Sequence, residues 1–178
     1  MKKKRVGVRL FKAFVLCILL LGIVGVAAGG VFVKHVIDNT PEVTAKDILP
    51  QGYTTSIVDQ NGTVLEQLKD SDSNRVYKKY DEISNYMGDA FVAIEDARFY
   101  NHNGIDLHGI IRALVVGVTH GFHFTEGAST LTQQLIKNNV FPNFVNETNS
   151  ERFERKIQEQ YLALKIEKQM SKKEILEA

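Results

Sequence analysis

The sequence predicts a mainly α-helical domain that follows a single transmembrane helix and begins with a small β-hairpin region. Three observations support this fold class. A 21-residue uncharged run near the N-terminus is long enough to cross a bilayer as a helix. Apolar residues then recur at helical spacing through most of the remaining chain. Between these parts, two short β-rich segments flank an Asn-Gly turn.

The N-terminal region divides into a basic tail, an apolar span and a linker. Residues 1–12 carry six Lys and Arg side chains, and the apolar run extends from Ala13 to Val33. A cleaved signal peptide is the alternative, but its apolar core spans only about 7–15 residues, so the run is better explained as a signal anchor. The basic tail then places the N-terminus in the cytoplasm and everything after Lys34 outside the membrane. Residues 34–53, which include two prolines, are predicted to form a linker.

Composition and residue spacing exclude several functions. The chain has 178 residues and a net charge of +1, so beyond the basic tail it lacks the cationic excess of a nucleic-acid-binding protein. Cys17, the one cysteine, lies in the apolar run, which excludes a disulfide framework and a thiol nucleophile from the outer domain. His108, His120 and His123 lack the paired spacing of a metal site.

The outer domain, predicted to cover residues 54–178, opens with the hairpin. Its strands are Thr54 to Val58 and Thr63 to Leu65, and Asn61-Gly62 supplies the positive φ values of the turn. A helix capped by Ser84 or Asp81 follows, with an apolar face made of Ile83, Met87, Phe91 and Ile94. Asp106 is predicted to cap a second helix, whose apolar face comprises Ile110, Ile111, Leu114, Val115 and Val118.

The segment 93–104, AIEDARFYNHNG, concentrates chemically active side chains. Glu95 and Asp96 lie where the first helix is predicted to end, and Arg98 and His102 follow before Gly104. A carboxylate at a helix end beside a loop can be held partly dry and still reach a ligand, as a general acid or base requires. The alternative is a solvated Glu-Asp pair that is bound locally by Arg98.

A second polar concentration lies in segment 126–138, EGASTLTQQLIKN. Ser129 or Thr130 can cap a helix whose leucines face the core. One face then carries hydroxyl, amide and ammonium groups, from Thr130, Gln133, Gln134 and Lys137. Such a helix start suits an oxygen-rich anionic ligand such as a sugar phosphate, although an ordinary capped surface helix is an equal alternative.

The third segment is 152–167, RFERKIQEQYLALKIE. Its predicted buried stripe comprises Phe153, Ile157, Tyr161 and Leu164. Arg155 and Glu159 stand one turn apart on another face, where the alternative to a functional pair is a weak surface ion pair. A capping box at Ser171 then starts a further helix only a turn or two before Ala178, so we expect the domain to be C-terminally incomplete.

Together these segments resemble the glycosyltransferase family 51 domain, the peptidoglycan polymerase module of class A penicillin-binding proteins and monofunctional membrane-bound transglycosylases. The residues that match its first motif, EDxxFxxHxG, are Glu95, Asp96, Phe99, His102 and Gly104. Those that match its second, roughly G-G/A-S-T-x-x-Q-Q-x-x-K-N, are Gly127, Ala128, Ser129, Thr130, Gln133, Gln134, Lys137 and Asn138. Arg155, Lys156 and Glu159 match the third, RKxxE, and a fourth motif begins at Lys173.

The resemblance implies a lysozyme-like catalytic lobe, with a smaller membrane-associated lobe between the first two motifs. Members of the family polymerise lipid II: a growing glycan on undecaprenyl pyrophosphate is the donor, and the 4-hydroxyl of a new lipid II attacks it with inversion to a β-1,4 link. By resemblance, Glu95 is the general base. Glu159 assists departure of the pyrophosphate, directly or through a divalent cation, Mg²⁺ or Mn²⁺.

The remaining motif residues receive supporting roles from the same resemblance. Asp96 is expected to orient Lys137 or to bind metal, as Glu159 also would. The substrate and pyrophosphate group comprises Asp96, Ser129, Thr130, Gln133, Gln134, Lys137, Asn138, Arg155 and Lys156. The structural group comprises Phe99, His102, Gly104 and Gly127. Val115, Val116, Phe122 and Phe124 are candidates for dipping into the membrane, with core packing as the alternative.

The expected location is the bacterial cytoplasmic membrane, crossed once, with the catalytic domain outside. Expected partners are lipid II, the lipid-linked glycan, the membrane and cell-wall synthesis or division proteins. One alternative is a lysozyme-like glycan hydrolase, since paired carboxylates also cleave glycosidic bonds, although the cationic second motif argues against it. The other is an inactive membrane-anchored cell-wall scaffold, because the fourth motif is cut short.

Overall fold

The computed structural model describes residues 2–49, 55–68, 76–121, 127–141 and 144–178, of which residues 2–10 are described by their backbone alone. The chain divides into two compact units, Met1–Pro41 and Glu42–Ala178. The fold is mainly helical, with one apolar N-terminal helix and one small hairpin. This confirms the predicted fold class.

The first unit is formed by helix α1, Lys2–Asp38. It runs without a break through the predicted tail, the predicted span and the start of the predicted linker, because the sequence contains no proline before Pro41. The Thr40 hydroxyl donates to the Val36 carbonyl at 2.9 Å just beyond the last turn. Within α1, Phe11–Asp38 is long and apolar enough to cross a membrane, judged by length and composition.

The second unit contains the predicted hairpin. Strands β1, Thr55–Val58, and β2, Val64–Leu68, pair antiparallel, with Thr55 opposite Leu68. Asp59 Oδ1 accepts from the backbone amides of Asn61 and Thr63, both at 2.8 Å, and Gly62 has a φ of +84°. With Thr63 in this Asx-type turn, the second strand begins one residue later than predicted, and it ends three residues later, at Leu68. Thr54, predicted to start the first strand, lies outside the described residues.

Five helices build the rest of the unit: α2 (Asn85–Glu95), α3 (Leu107–Thr119), α4 (Leu131–Val140), α5 (Asn149–Ile166) and α6 (Lys172–Glu177). One short 3₁₀ turn, Tyr80–Glu82, precedes α2, and two others, Phe99–Asn101 and Phe144–Asn146, follow α2 and α4. Helices α4 and α5 pack against each other, and the buried core includes Val92, Phe99, Ile136, Leu162, Ala163, Ile166 and Ile175. The core therefore lies directly beneath the three polar motifs.

The buried faces of α2 and α5 differ from the predicted ones. In α2, Met87, Phe91 and Ile94 are exposed, whereas Gly88 and Val92 face inward. In α5, Phe153 and Leu164 are exposed, and the buried residues are Arg155, Glu159, Leu162, Ala163 and Ile166. The predicted α5 stripe is offset by two positions, roughly 200° around a helix, because charged residues that pair inside the protein were assigned to the surface.

Helix α3 also exposes most of its apolar face. Ile111, Leu114, Val115 and Val118 are exposed, while the buried positions are Gly109 and Gly117. Val116 is half-buried, and Phe122 and Phe124 lie outside the described residues. An exposed apolar helix face suits contact with lipid, which keeps membrane contact as our expectation for Val115.

Candidate active site

Glu95 is the last residue of α2, and its carboxylate is exposed rather than partly dry as predicted. Gln134, from the second turn of α4, donates from Nε2 to Glu95 Oε2 at 2.9 Å. The hydrogen bond joins the first two motifs across 39 positions of sequence. An exposed carboxylate held by a neutral amide keeps capacity to accept a proton from a bound hydroxyl group.

Asp96 is buried, and its carboxylate binds groups inside the protein. His102 Nε2 lies 3.0 Å from both Asp96 oxygens, and the Leu131 amide donates to Oδ2 at 3.1 Å. The Gly104 amide donates to His102 Nδ1 at 3.1 Å, so the imidazole proton that faces Asp96 is on Nε2. Asp96 therefore joins the first motif to the start of α4. Lys137, which it was expected to orient, instead lies over the Phe144 ring at 4.8 Å.

Arg98 binds Asp106 rather than the Glu95-Asp96 pair, which contradicts the surface-pair alternative. Its Nε donates to both Asp106 oxygens at 3.1 Å, and NH2 donates to Oδ2 at 2.5 Å. This bidentate bond lowers the pKa of Asp106 to about 2, against the smaller opposing effect of burial. Asp106 occupies the N-cap position of α3, as predicted, but its side chain accepts hydrogen bonds from Arg98 instead of capping the helix.

Gly104 brings the motifs into contact because it lacks a side chain. Its φ is +94°, and a Cβ there would lie 2.8 Å from the carbonyl carbon and oxygen of Ala163 in α5. Its own carbonyl accepts from Thr130 Oγ1 at 2.9 Å and from Gln133 Nε2 at 3.1 Å. Thr130 and Gln133 are buried, and Thr130 caps α4. These two residues thus support the site from inside the protein, and Thr130 also lines the polar cavity next to Glu95, so their predicted binding of substrate stays a prediction.

We expect Gly104→Ala to lower the free energy of unfolding by at least about 2 kcal/mol, because it adds backbone strain and overpacks against Ala163. Denaturant unfolding in detergent measures this loss. Gly127→Ala is the matched control, since none of the described atoms lies within 4 Å of a Cβ at Gly127. Equal stability of the two variants would contradict the close-approach role of Gly104. Gly127, predicted to be structural, has no such steric requirement.

The third motif forms a buried charge cluster around Glu159. The Glu159 side chain is fully buried, and its Oε1 accepts from Arg155 NH1. Its Oε2 accepts from Lys156 Nζ at 2.8 Å, and the same ammonium donates to Ser129 Oγ at 2.9 Å. Lys156 remains 39% exposed and can reach a ligand, whereas Arg155 is almost covered. The alternative of a weak surface ion pair is therefore wrong, because Arg155 and Glu159 belong to an interior network.

Ser129 connects this cluster to Glu95. It lines a polar cavity of about 180 Å³ together with Glu95, Asp96, Arg98 and Arg112. Since Ser129 also accepts from Lys156, residues of all three motifs meet at or next to this cavity. On the other side of Glu95, a cavity of about 410 Å³ is lined by Gln134, Asn138 and apolar residues of α2, α4 and α6. Glu95 thus stands between a polar and a largely apolar recess.

Asp96 and Glu159 do not fit a divalent cation. Both Glu159 oxygens already accept from cationic side chains, so a metal ion there would be repelled by Arg155 and Lys156. Asp96 is 6% exposed and bound by His102 and the Leu131 amide. Among the residues that the structure describes, no three His, Cys, Asp or Glu side chains are grouped to hold a metal.

Two ion-paired carboxylates should make folding sensitive to acid. Arg155 and then Arg152 hydrogen-bond Glu147 and lower its pKa to about 2, as Arg98 does for Asp106. Because the folded pKa values lie below the unfolded ones, we expect the free energy of unfolding to be constant above about pH 5 and to fall between about pH 5 and 2. Urea unfolding across this range tests the prediction. Asp106→Asn should flatten the dependence, and an unchanged slope would contradict it.

The sequence patterns did not identify two residues that lie near the site. Arg112 lines the polar cavity with Glu95, and a single cation within the otherwise apolar α3 was the available signal. Glu147 binds Arg155 from eight positions away. No local pattern indicates that contact, because the two residues belong to different elements.

Comparison with known proteins places these features in a family. A family model described as transglycosylase matches residues 61–178. The chain is 40% identical to penicillin-binding protein 1A of Clostridium perfringens (strain 13 / Type A) over 171 residues, which cover 94% of this chain and 24% of that protein. It is 37% identical to penicillin-binding protein 1A/1B of Bacillus subtilis (strain 168) over 175 residues, 98% of this chain and 18% of that protein. The chain thus spans a quarter or less of the length of these relatives.

Proposed function

Because this chain belongs to the transglycosylase family, we propose that residues 54–178 form a peptidoglycan glycosyltransferase that polymerises lipid II into β-1,4 glycan strands and releases undecaprenyl pyrophosphate. The observation that supports this most directly is that the first two motifs line one polar cavity, and that Lys156 of the third motif binds Ser129 at its wall. A carboxylate, a hydroxyl group and cationic side chains surround that cavity. These groups suit attack by a sugar hydroxyl group with departure of an anionic leaving group.

In the proposed reaction, the acceptor 4-hydroxyl attacks C1 of the donor glycan. The new C1–O4 bond forms as the bond from C1 to the pyrophosphate oxygen breaks with inversion, and the leaving pyrophosphate keeps the electron pair. Glu95 accepts the hydroxyl proton, which its exposure at the cavity allows. Gln134 holds the carboxylate in place for this transfer.

The leaving pyrophosphate gains negative charge as the bond breaks, and cationic side chains can stabilise it. Lys156 is the exposed cation of the third motif, and Lys137 is half-buried beside the Phe144 ring. Both Glu159 oxygens accept from cationic side chains, so we assign Glu159 to aligning Arg155 and Lys156. Ser129 transmits that alignment to the cavity.

We further propose that α1 anchors the enzyme in the bacterial cytoplasmic membrane, with the N-terminus cytoplasmic and the catalytic domain outside. Lipid-linked donor and acceptor then share one plane with the enzyme, which raises their effective concentration. The exposed apolar face of α3 is our candidate for contact with the outer leaflet. The proposed protein partners of the enzyme are cell-wall synthesis or division proteins.

The deciding experiment incubates this chain in detergent with labelled lipid II and resolves the products by length. Formation of long glycan that lysozyme digests supports the proposal. Cleavage of a supplied glycan without polymerisation would replace it with the hydrolase alternative. If the chain neither polymerises lipid II nor cleaves glycan, the scaffold alternative gains.

A further inference from the structure

Arg155 is held by carboxylates on two sides. Its Nε donates to Glu147 Oε2 at 2.6 Å, and NH2 donates to Glu147 Oε1 at 2.5 Å. On the opposite side, NH1 donates to Glu159. A bidentate bond fixes both the plane and the rotamer of a guanidinium group. Glu147 thereby determines where NH1 points.

Glu147 lies outside the three matched motifs, between the 3₁₀ turn Phe144–Asn146 and Thr148, the N-cap of α5. Its side chain is 8% exposed and also accepts from Arg152 Nε at 3.2 Å. From the same turn, the Phe144 ring lies 4.8 Å from Lys137 Nζ and 5.8 Å from the Arg155 guanidinium carbon. This turn therefore contacts one cation from the second motif and one from the third.

We propose that Glu147 is a positioning residue of the glycosyltransferase site, which holds Arg155 in line with Glu159 and so keeps the cationic side chains aligned for departure of the pyrophosphate. The inference rests on the proposed function. A negative charge near the leaving group opposes its departure, but Glu147 is bound by two arginines, which offset that charge. Two charge-assisted hydrogen bonds that order a nearly buried guanidinium group should outweigh the remaining repulsion.

The kinetic test uses Glu147→Gln, because glutamine keeps the shape of glutamate but cannot accept both guanidinium bonds. We expect a loss in kcat of roughly 10- to 100-fold, with KM within about twofold of wild type, since the interaction supports the leaving group rather than substrate binding. In an Arg155→Lys background, the same substitution should cause no further loss, because Glu147 acts through Arg155. Glu154→Gln is the matched control, because Glu154 is an exposed carboxylate of α5 and lines the same surface cavity as Glu147 and Arg155.

The results separate positioning from two other roles. A kcat that rises in Glu147→Gln would mean that Glu147 competes with the pyrophosphate for Arg155, which overturns the proposal. Equal losses in wild-type and Arg155→Lys backgrounds would indicate a general structural effect and also overturn it. A kcat of Glu147→Gln equal to that of Glu154→Gln would overturn the proposal as well.

A second measurement does not depend on activity. In ¹⁵N-labelled protein, the Arg155 Nε–H signal is identified by its loss in Arg155→Lys. We expect this hydrogen to exchange slowly with solvent in wild type and Glu154→Gln, and rapidly in Glu147→Gln. Unchanged slow exchange in Glu147→Gln would overturn the positioning role whether or not lipid II is polymerised. If the hydrogen exchanges slowly in wild type and rapidly in Glu147→Gln while the wild-type chain makes no glycan, the result supports the positioning role and counts against the proposed function alone.

Discussion

Replacing Glu95 by glutamine is expected to lower the rate of lipid II polymerisation by about 10²- to 10⁴-fold, the range for loss of a general base. Glutamine keeps the size of the side chain and can still bond Gln134, but it cannot take the hydroxyl proton. Because Glu95 is exposed, the substitution should leave the free energy of unfolding within about 0.5 kcal/mol of wild type. Initial rates with labelled lipid II, together with denaturant unfolding, measure both effects.

Asp89→Asn is the matched control for this variant. Asp89 is an exposed carboxylate of the same helix. Replacing it by asparagine should therefore leave the rate of polymerisation within about twofold of wild type. A Glu95→Gln variant that retains more than about a tenth of wild-type activity would remove Glu95 from the role of base. A large loss of stability in that variant would mean that the rate reports on folding.

Replacing Glu159 by alanine is expected to lower the free energy of unfolding by about 3 kcal/mol or more, the cost of breaking a buried ion pair. The nearly buried Arg155 would lose the acceptor of its NH1 group, and a cavity would remain where the carboxylate was. Polymerisation should fall as well, because Lys156 would no longer be tied in place beside Ser129. Urea unfolding in detergent measures the stability term.

Glu154→Ala removes an exposed carboxylate from the same helix and should change stability by no more than about 0.5 kcal/mol. If Glu159→Ala costs less than about 1 kcal/mol, the cluster around it contributes little to folding, and the buried pair would have to be explained by function alone.

The sequence predicted the hairpin, the end of α2 at the carboxylate pair and the capped starts of α4 and α6 because these features depend on neighbouring residues. It assigned Thr130 and Gln133 to the ligand, since polar side chains on one helix face are usually solvated. Their burial depends on the Gly104 carbonyl, which lies 26 and 29 positions away. The predicted stripe of α5 was wrong for a similar reason. A charged residue is assigned to the surface by its type alone. Glu159 is buried because Arg155 and Lys156 bind both of its carboxylate oxygens, and that pairing is not visible in the apolar pattern.

The hydrogen bonds behind the site also bear on how the domain fluctuates. The backbone amides of Gly104, Leu131 and Gln133 are held by the side chains of His102, Asp96 and Thr130. Because Asp96 links His102 to Leu131, and Gly104 accepts from Thr130, none of these bonds can open without disturbing the others. The three amides should therefore belong to one cooperative unit of local unfolding. The backbone behind the site would then open rarely, and Gly104 and the start of α4 would open together. The exposed carboxylate of Glu95 would remain accessible to successive substrates.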